Sequence, residues 1–276
     1  MTMTPEALLG NAGGTLALHA LIFDVDGTLA DTERDGHRVA FNATFAAAGL
    51  DWEWDVATYG RLLDVTGGKE RLRHYVASAL PRDALRPDLE ARIAALHADK
   101  TRRYAEVVAT GALPMRPGVA RLLAEARAAG LRLAIATTTT AQNVTALLRH
   151  GLSEDAPGWF DVIAAGDVVP RKKPAPDVYL HALERLGLAA PECLAFEDSE
   201  NGIRASLGAG IATVVTLNDY TRGQDFGGAV SVLESLGEPG MPARVISGAA
   251  PRAGYVTVDD LRAWIGSAPA GGPAPV

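Results

Sequence analysis

Two aspartates stand two residues apart in the run Asp24-Val25-Asp26-Gly27-Thr28. They follow directly on a mostly apolar stretch, residues 16–23. In that setting one carboxylate can attack as a nucleophile while its neighbour moves protons. Ligands of open α/β sheets bind outside the carboxyl ends of the strands, which is where these two would lie. An acidic turn that merely caps the next segment is the plainer alternative. A calcium loop of the EF-hand type fails, because Gly27 follows the second aspartate directly and a strand precedes it.

Three further groups downstream could complete such a site. Thr137 ends the apolar run 131–136 and offers a hydroxyl and a backbone N–H to a phosphate oxygen, with Thr138, Thr139 and Thr140 behind it. The segment 171–177 carries Lys172 and Lys173, either of which could offset charge on a phosphoryl group. Glu197-Asp198-Ser199 follows the run 193–196. Its carboxylates suit a hard cation such as Mg²⁺, and its Asp and Ser would equally suit a helix N-cap.

A fourth segment, Gly67-Gly68-Lys69-Glu70-Arg71-Leu72-Arg73, sets three cations against one carboxylate. Its glycines allow a ligand close to the backbone, and its charge suits a phosphate. It does not fit the Walker pattern, since Lys69 is followed by Glu70. A solvated helix start is the competing interpretation. His74 and His97 lack metal-type spacing and read as structural.

Apolar runs at 16–23, 131–136, 160–164, 193–196 and 213–217 alternate with helical patterns at 119–129, 142–149, 176–186 and 201–207. That alternation predicts an α/β fold, a Rossmann-like parallel-sheet core. Between about 32 and 110 the periodicity is helical throughout, as at 39–48, 69–79 and 89–104, which predicts an inserted all-helical cap. The expected organisation is a flexible extension at 1–15, a catalytic core from 16–32 and 111–265, a cap at 33–110 and a flexible tail at 266–276.

The chain has 276 residues, 48% hydrophobic and 21% charged, enough to bury a sizeable core. Its formal net charge of −7 disfavours nucleic acid as a partner. No apolar run approaches the ~20 residues of a membrane span, and no signal peptide is visible. The single cysteine, Cys193, lies in an apolar run and reads as a small buried residue. The expected setting is a cytoplasmic monomer acting on a small molecule.

The four chemical groups, in this order and each at a strand end, resemble the haloacid-dehalogenase superfamily. The likeness covers about 16–32 and 111–265, and the helical insert resembles the cap of the subfamily holding β-phosphoglucomutase and many sugar phosphatases. The runs 59–75 and 160–169, Lys172-Lys173-Pro174, Phe41-Asn42 and Gly49-Leu50-Asp51-Trp52 are similar to the CbbY group of xylulose-1,5-bisphosphate phosphatases. The resemblance implies Asp24 as nucleophile and Asp26 as general acid and base. It points to Lys173, which directly precedes Pro174, and to Thr137 and Thr138 as phosphate ligands. It implies Mg²⁺ held by Asp24, the Asp26 backbone carbonyl and Asp198. Glu33, Tyr59, Gly68, Lys69, Glu70, Arg71 and Thr139 would contact the sugar and its second phosphate. The implied reaction converts xylulose-1,5-bisphosphate to xylulose 5-phosphate and so removes a Rubisco inhibitor. A hexose-phosphate phosphomutase, a broader sugar-phosphate phosphatase and a non-catalytic sugar-phosphate sensor are the alternatives. His37 stands one residue later than in the mutase pattern.

Overall fold

The computed structural model describes residues 17–80 and 84–265. The extension expected at 1–15 and the tail expected at 266–276 lie outside them. Seven strands form one sheet in the order β3-β2-β1-β4-β5-β6-β7. β1 (Ala20–Phe23), β2 (Arg132–Ala136), β3 (Val162–Ala164), β4 (Cys193–Glu197), β5 (Ala212–Thr216) and β6 (Ser231–Leu233) run parallel, and β7 (Val245–Gly248) is antiparallel at the edge. β1 is wholly buried and pairs on both sides, Phe23 opposite Ile135 and Phe196. Continuous apolar strands of this kind are what a sheet covered on both faces requires.

α1 (Arg38–Ala47), α2 (Val56–Leu62), α3 (Gly68–Ala79) and α4 (Leu89–Ala109) all lie between β1 and β2 in the chain, after a π-helical turn at Glu33–His37. The sheet is flanked by α5 (Val119–Ala128), α6 (Ala141–Gly151), α7 (Asp177–Leu186), α8 (Glu200–Gly208) and α9 (Val258–Ile265). Leu122, Leu147 and Leu261 pack on one face with Phe23 and Ile135, while Tyr179, Ala182 and Ala205 pack on the other with Ile22 and Ala195. Among the described residues no helix is long and apolar enough to cross a membrane.

The inserted helices have a cluster of their own around Phe41, Phe45, Trp54, Tyr59 and Leu72. α4 belongs to two cores. Its Ile93 and Leu96 join the insert's cluster, but Tyr104 and Val108 join that of the sheet. The elements that the periodicity left out are short or peripheral: α2, β6, β7 and α9. Three residues, all buried, give β6 no readable period.

Inside the insert, His97 packs so close to Gly68 that a Cβ there would lie 2.6 Å from its Nε2. Burial, with Lys100 and Lys69 nearby, lowers the imidazole from 6.5 to about 4. Between those values the unfolded chain binds a proton that the folded chain refuses, so stability falls as pH drops through the window. The expected loss from this group is roughly 2–3 kcal/mol. His97→Gln should flatten that part of a Tm-against-pH curve, and an unchanged slope would rule the group out.

Candidate active site

The site forms where the strand order turns, between β1 and β4. Asp24 leaves the end of β1 with its backbone N–H donating to the Phe196 carbonyl, 3.0 Å, which carries the strand pairing one residue further. Asp24 is therefore held beside Glu197 and Asp198 at the end of β4. Lys173 enters from the loop before α7 and places its ammonium 2.6 Å from Asp24 Oδ1 and 2.6 Å from Glu197 Oε1. Asp24, Lys173 and Glu197 are all buried. Tyr179 donates its hydroxyl to Glu197 Oε1 at 2.5 Å. Burial disfavours the charge on Lys173, but the two carboxylates outweigh it and keep the ammonium protonated. Burial raises Asp24, and Lys173 opposes that rise.

Two glycines make room for this arrangement. Gly27 has φ +86, and a Cβ on it would lie 2.1 Å from Asp198 Oδ2. Gly202 in α8 faces Glu197, whose Oε2 would lie 1.9 Å from a Cβ there. Arg116, fully inside the protein, donates to the Gly27, Thr216, Leu217 and Glu234 carbonyls. It thereby pins the turn after Asp26 to the ends of β5 and β6. Asn218 donates to Asp198 Oδ2 at 2.6 Å.

Asp24, Glu197 and Asp198 each bring a carboxylate oxygen within 4.8 Å of the others. Burial and the two neighbouring acids push Asp198 well above the usual carboxylate range. Three carboxylates face one ammonium, which is the charge balance a divalent cation corrects. The donors are all oxygen, so a hard ion fits them. The carboxylate of Asp26 is not part of this set.

Asp26 stands in a different environment. Its Oδ1 accepts from Thr32 Oγ1 at 2.6 Å and from His37 Nε2 at 2.7 Å. Lys100 Nζ lies 2.6 Å from His37 Nδ1. An ammonium has only protons to offer, so Nδ1 accepts and Nε2 carries the hydrogen toward Asp26. Burial alone would raise Asp26, but His37, Thr32 and Lys100 bring it down to about 2. His37 is stacked on Tyr104 at 4.0 Å, and Lys100 lies over Phe41 at 4.9 Å.

A cavity of about 350 Å³ opens onto these groups. Asp24, Asp26, Glu33, Arg71, Thr137, Thr138, Lys173 and Asp198 line it, as the sequence suggested, together with Asn201, Asn218, Tyr220 and Gln224. Tyr59 acts from behind the wall: its hydroxyl donates to Glu33 Oε2 at 2.5 Å and accepts from Arg71 Nη1 at 2.9 Å. Four expected residues are held elsewhere. Lys69 is on Asp167 at 2.6 Å, Glu70 lies 3.5 Å from Arg73, Gly68 abuts His97, and Thr139 accepts from Asn143. None of these four lines the cavity. Lys172 also bonds Asp167, at 2.8 Å. Ser199 caps α8, accepting from the Gly202 N–H at 3.2 Å, so the acidic loop serves as cap and as carboxylate source through different residues. Cys193 is buried, its thiol pushed up to about 12.

Comparisons with known proteins place the chain in a family. A family model for haloacid dehalogenase-like hydrolases matches residues 18–210. The chain belongs to that family. It is an enzyme of the hydrolase class. It is 54% identical over 248 residues to the plasmid-borne protein CbbY of Cupriavidus necator, covering 90% of this chain and 96% of the relative. CbbY from Rhodobacter sphaeroides, crystallised with phosphate, superposes with a TM-score of 0.72 at 47% identity, over 79% of this chain and 94% of that one. A mutant of the same protein was crystallised with xylulose-1,5-bisphosphate, with a TM-score of 0.72 and 46% identity over the same shares.

His37 and Lys100 were not legible as partners of Asp26, and they yield a test. Burial lowers Lys100 to about 8. Above that pH the ammonium is lost, and His37 loses the donor that fixes its tautomer. Turnover should fall on the alkaline side with a midpoint near pH 8, and Lys100→Met should lack that limb. A parent profile flat from about pH 7 to 9.5 counts against the relay.

Proposed function

We propose that this chain is a Mg²⁺-dependent phosphatase of sugar bisphosphates, converting xylulose-1,5-bisphosphate to xylulose 5-phosphate through an aspartyl phosphate. The observation that carries the proposal is Asp24 at a strand end, gripped by buried Lys173 and open to a cavity that Arg71 also lines. The bisphosphate bound by the R. sphaeroides relative supports the choice of substrate.

Asp24 attacks phosphorus in line, and the bond from phosphorus to the sugar oxygen breaks. Lys173, Thr137 and Thr138 hold the phosphoryl oxygens and offset their charge. Asp26, held low, stands ionised at neutral pH and is ready to take a proton from the hydrolytic water. Protonating the leaving sugar oxygen needs Asp26 to carry a proton. The anionic substrate raises its affinity for one, as like charge does for any carboxylate. Asp24, Asp198 and the Asp26 backbone carbonyl would hold Mg²⁺, while Glu197 stays engaged with Lys173 and Tyr179. When bound, the ion supplies charge stabilisation for phosphoryl transfer.

The helices between β1 and β2 serve in this reading as a cap over the sheet domain. Glu33 and Arg71 meet the sugar and its distal phosphate, with Tyr59 aligning both. Lys69, with Gly68, Glu70 and Thr139 nearby, joins them only after leaving Asp167. Work as a monomer in the cytoplasm belongs to the same proposal, and the lone buried Cys193 suits a reducing compartment.

Phosphate release from xylulose-1,5-bisphosphate should require Mg²⁺, stop in excess chelator and vanish in Asp24→Asn. Residual Asp24→Asn activity within about tenfold of the parent, ~1.4 kcal/mol of barrier, would remove Asp24 from the nucleophile's place.

Arg71→Ala should lower kcat/KM for the bisphosphate about ten- to hundredfold, the worth of one charge-assisted phosphate contact. Because Arg71 also bonds Tyr59 and the Leu62 carbonyl, hydrolysis of an aryl phosphate is the control. Equal losses on the two substrates would assign Arg71 to the fold of the insert.

A further inference from the structure

Tyr220 lies in the loop after β5, in the sheet domain, yet its ring is packed against the insert. It lies edge-on to Tyr59 with centroids 6.3 Å apart. It also covers Gly60 in α2, where a Cβ would lie 3.0 Å from its Cδ1. A glycine inside a helix weakens it, and here the missing side chain gives the ring its seat. The loop is tightly built. The Tyr220 N–H donates to Asn218 Oδ1 at 2.9 Å, and the Asn218 N–H donates to Thr221 Oγ1 at 3.1 Å. Tyr220 is thus tied through Asn218 to Asp198, and it lines the cavity that contains Asp24 and Arg71.

Its hydroxyl is shut off from solvent and has no hydrogen-bond partner among the described residues. Buried hydroxyls are almost always paired, so one left over beside a ligand cavity calls for a reason. Tyr59, its neighbour, is committed to Glu33 and Arg71. A sugar phosphate between the insert and the sheet brings several oxygens that accept from a phenol.

We propose that Tyr220 is a specificity-determining residue whose hydroxyl donates to an oxygen of the bound sugar phosphate. The proposal rests on the sugar-phosphatase reading but not on which sugar phosphate is preferred. The aromatic ring would stay seated on Gly60, and its hydroxyl would meet the sugar phosphate.

The test is Tyr220→Phe, which keeps the ring on Gly60 and removes one oxygen. The parent and the variant are assayed with Mg²⁺ on sugar mono- and bisphosphates, xylulose-1,5-bisphosphate included, and on p-nitrophenyl phosphate. On whichever sugar phosphate the parent turns over best, kcat/KM should fall about tenfold or more, and several-fold less on the aryl phosphate. The Tm of the ligand-free variant should equal or exceed that of the parent. If the parent prefers another sugar phosphate, the xylulose-1,5-bisphosphate assignment fails while the Tyr220 comparison is still read on that substrate. A loss below about twofold, an equal loss on both substrate types, or a lowered Tm would overturn the proposal.

Discussion

The ammonium of Lys173 is the group on which the rest of the site depends. Two buried carboxylates from different strands, Asp24 and Glu197, converge on it. Without it, adjacent β1 and β4 would end in like charges with little water to separate them, an arrangement costly at low effective dielectric. With it, the two acids are brought together and a third, Asp198, fits beside them. Tyr179 gives Glu197 a second donor, which leaves Asp24 less encumbered for chemistry. Glycine at 27 and at 202 is the steric side of the same bargain, since a side chain at either place would collide with a carboxylate.

Asp24 and Asp26 are two residues apart, yet the protein gives them opposite electrostatic surroundings. Asp24 shares its lysine with another acid, whereas Asp26 has a hydroxyl, an imidazole and an ammonium beyond that. Strand geometry explains how neighbours diverge so far: only the first is still paired to β4, and the second has already turned toward the insert. Division of labour between like residues by environment is a general device of acid–base sites.

Much of this was legible in the sequence because strand ends are local features. An apolar run stopping at Asp24, at Thr137 or at Glu197-Asp198 marks its own edge, and the parallel sheet then brings those edges together. The residues that escaped notice act across long separations. Lys100 is 63 positions from His37 and reads as one more charge on a polar helix. A signal was present all the same: Ile93, Leu96, Lys100, Tyr104 and Val108 form one buried stripe at helical spacing, and a lysine within such a stripe needs a partner. Arg116 gave no comparable sign, since most of its partners are backbone carbonyls that only the fold assembles. Lys69 is the converse case: its charge suits a phosphate, and what holds it in this structure is Asp167, 98 positions away.

The long helix α4 has mechanical meaning. Its far end is rooted in the sheet's core at Tyr104 and Val108, while its near end carries the insert. Over 21 residues it extends about 30 Å. A rod anchored at one end is a lever, and displacement along it grows with distance from the fulcrum. Lys100, one turn from Tyr104, sits near the rooted end. The start of α3 rests against His97, about one turn nearer the free end. Lys100 and the start of α3 are thereby hung from neighbouring turns of one rod. Any tilt of that rod would displace Leu89 most and Val108 least, so the contact between Lys100 and His37 lies toward its steadier end.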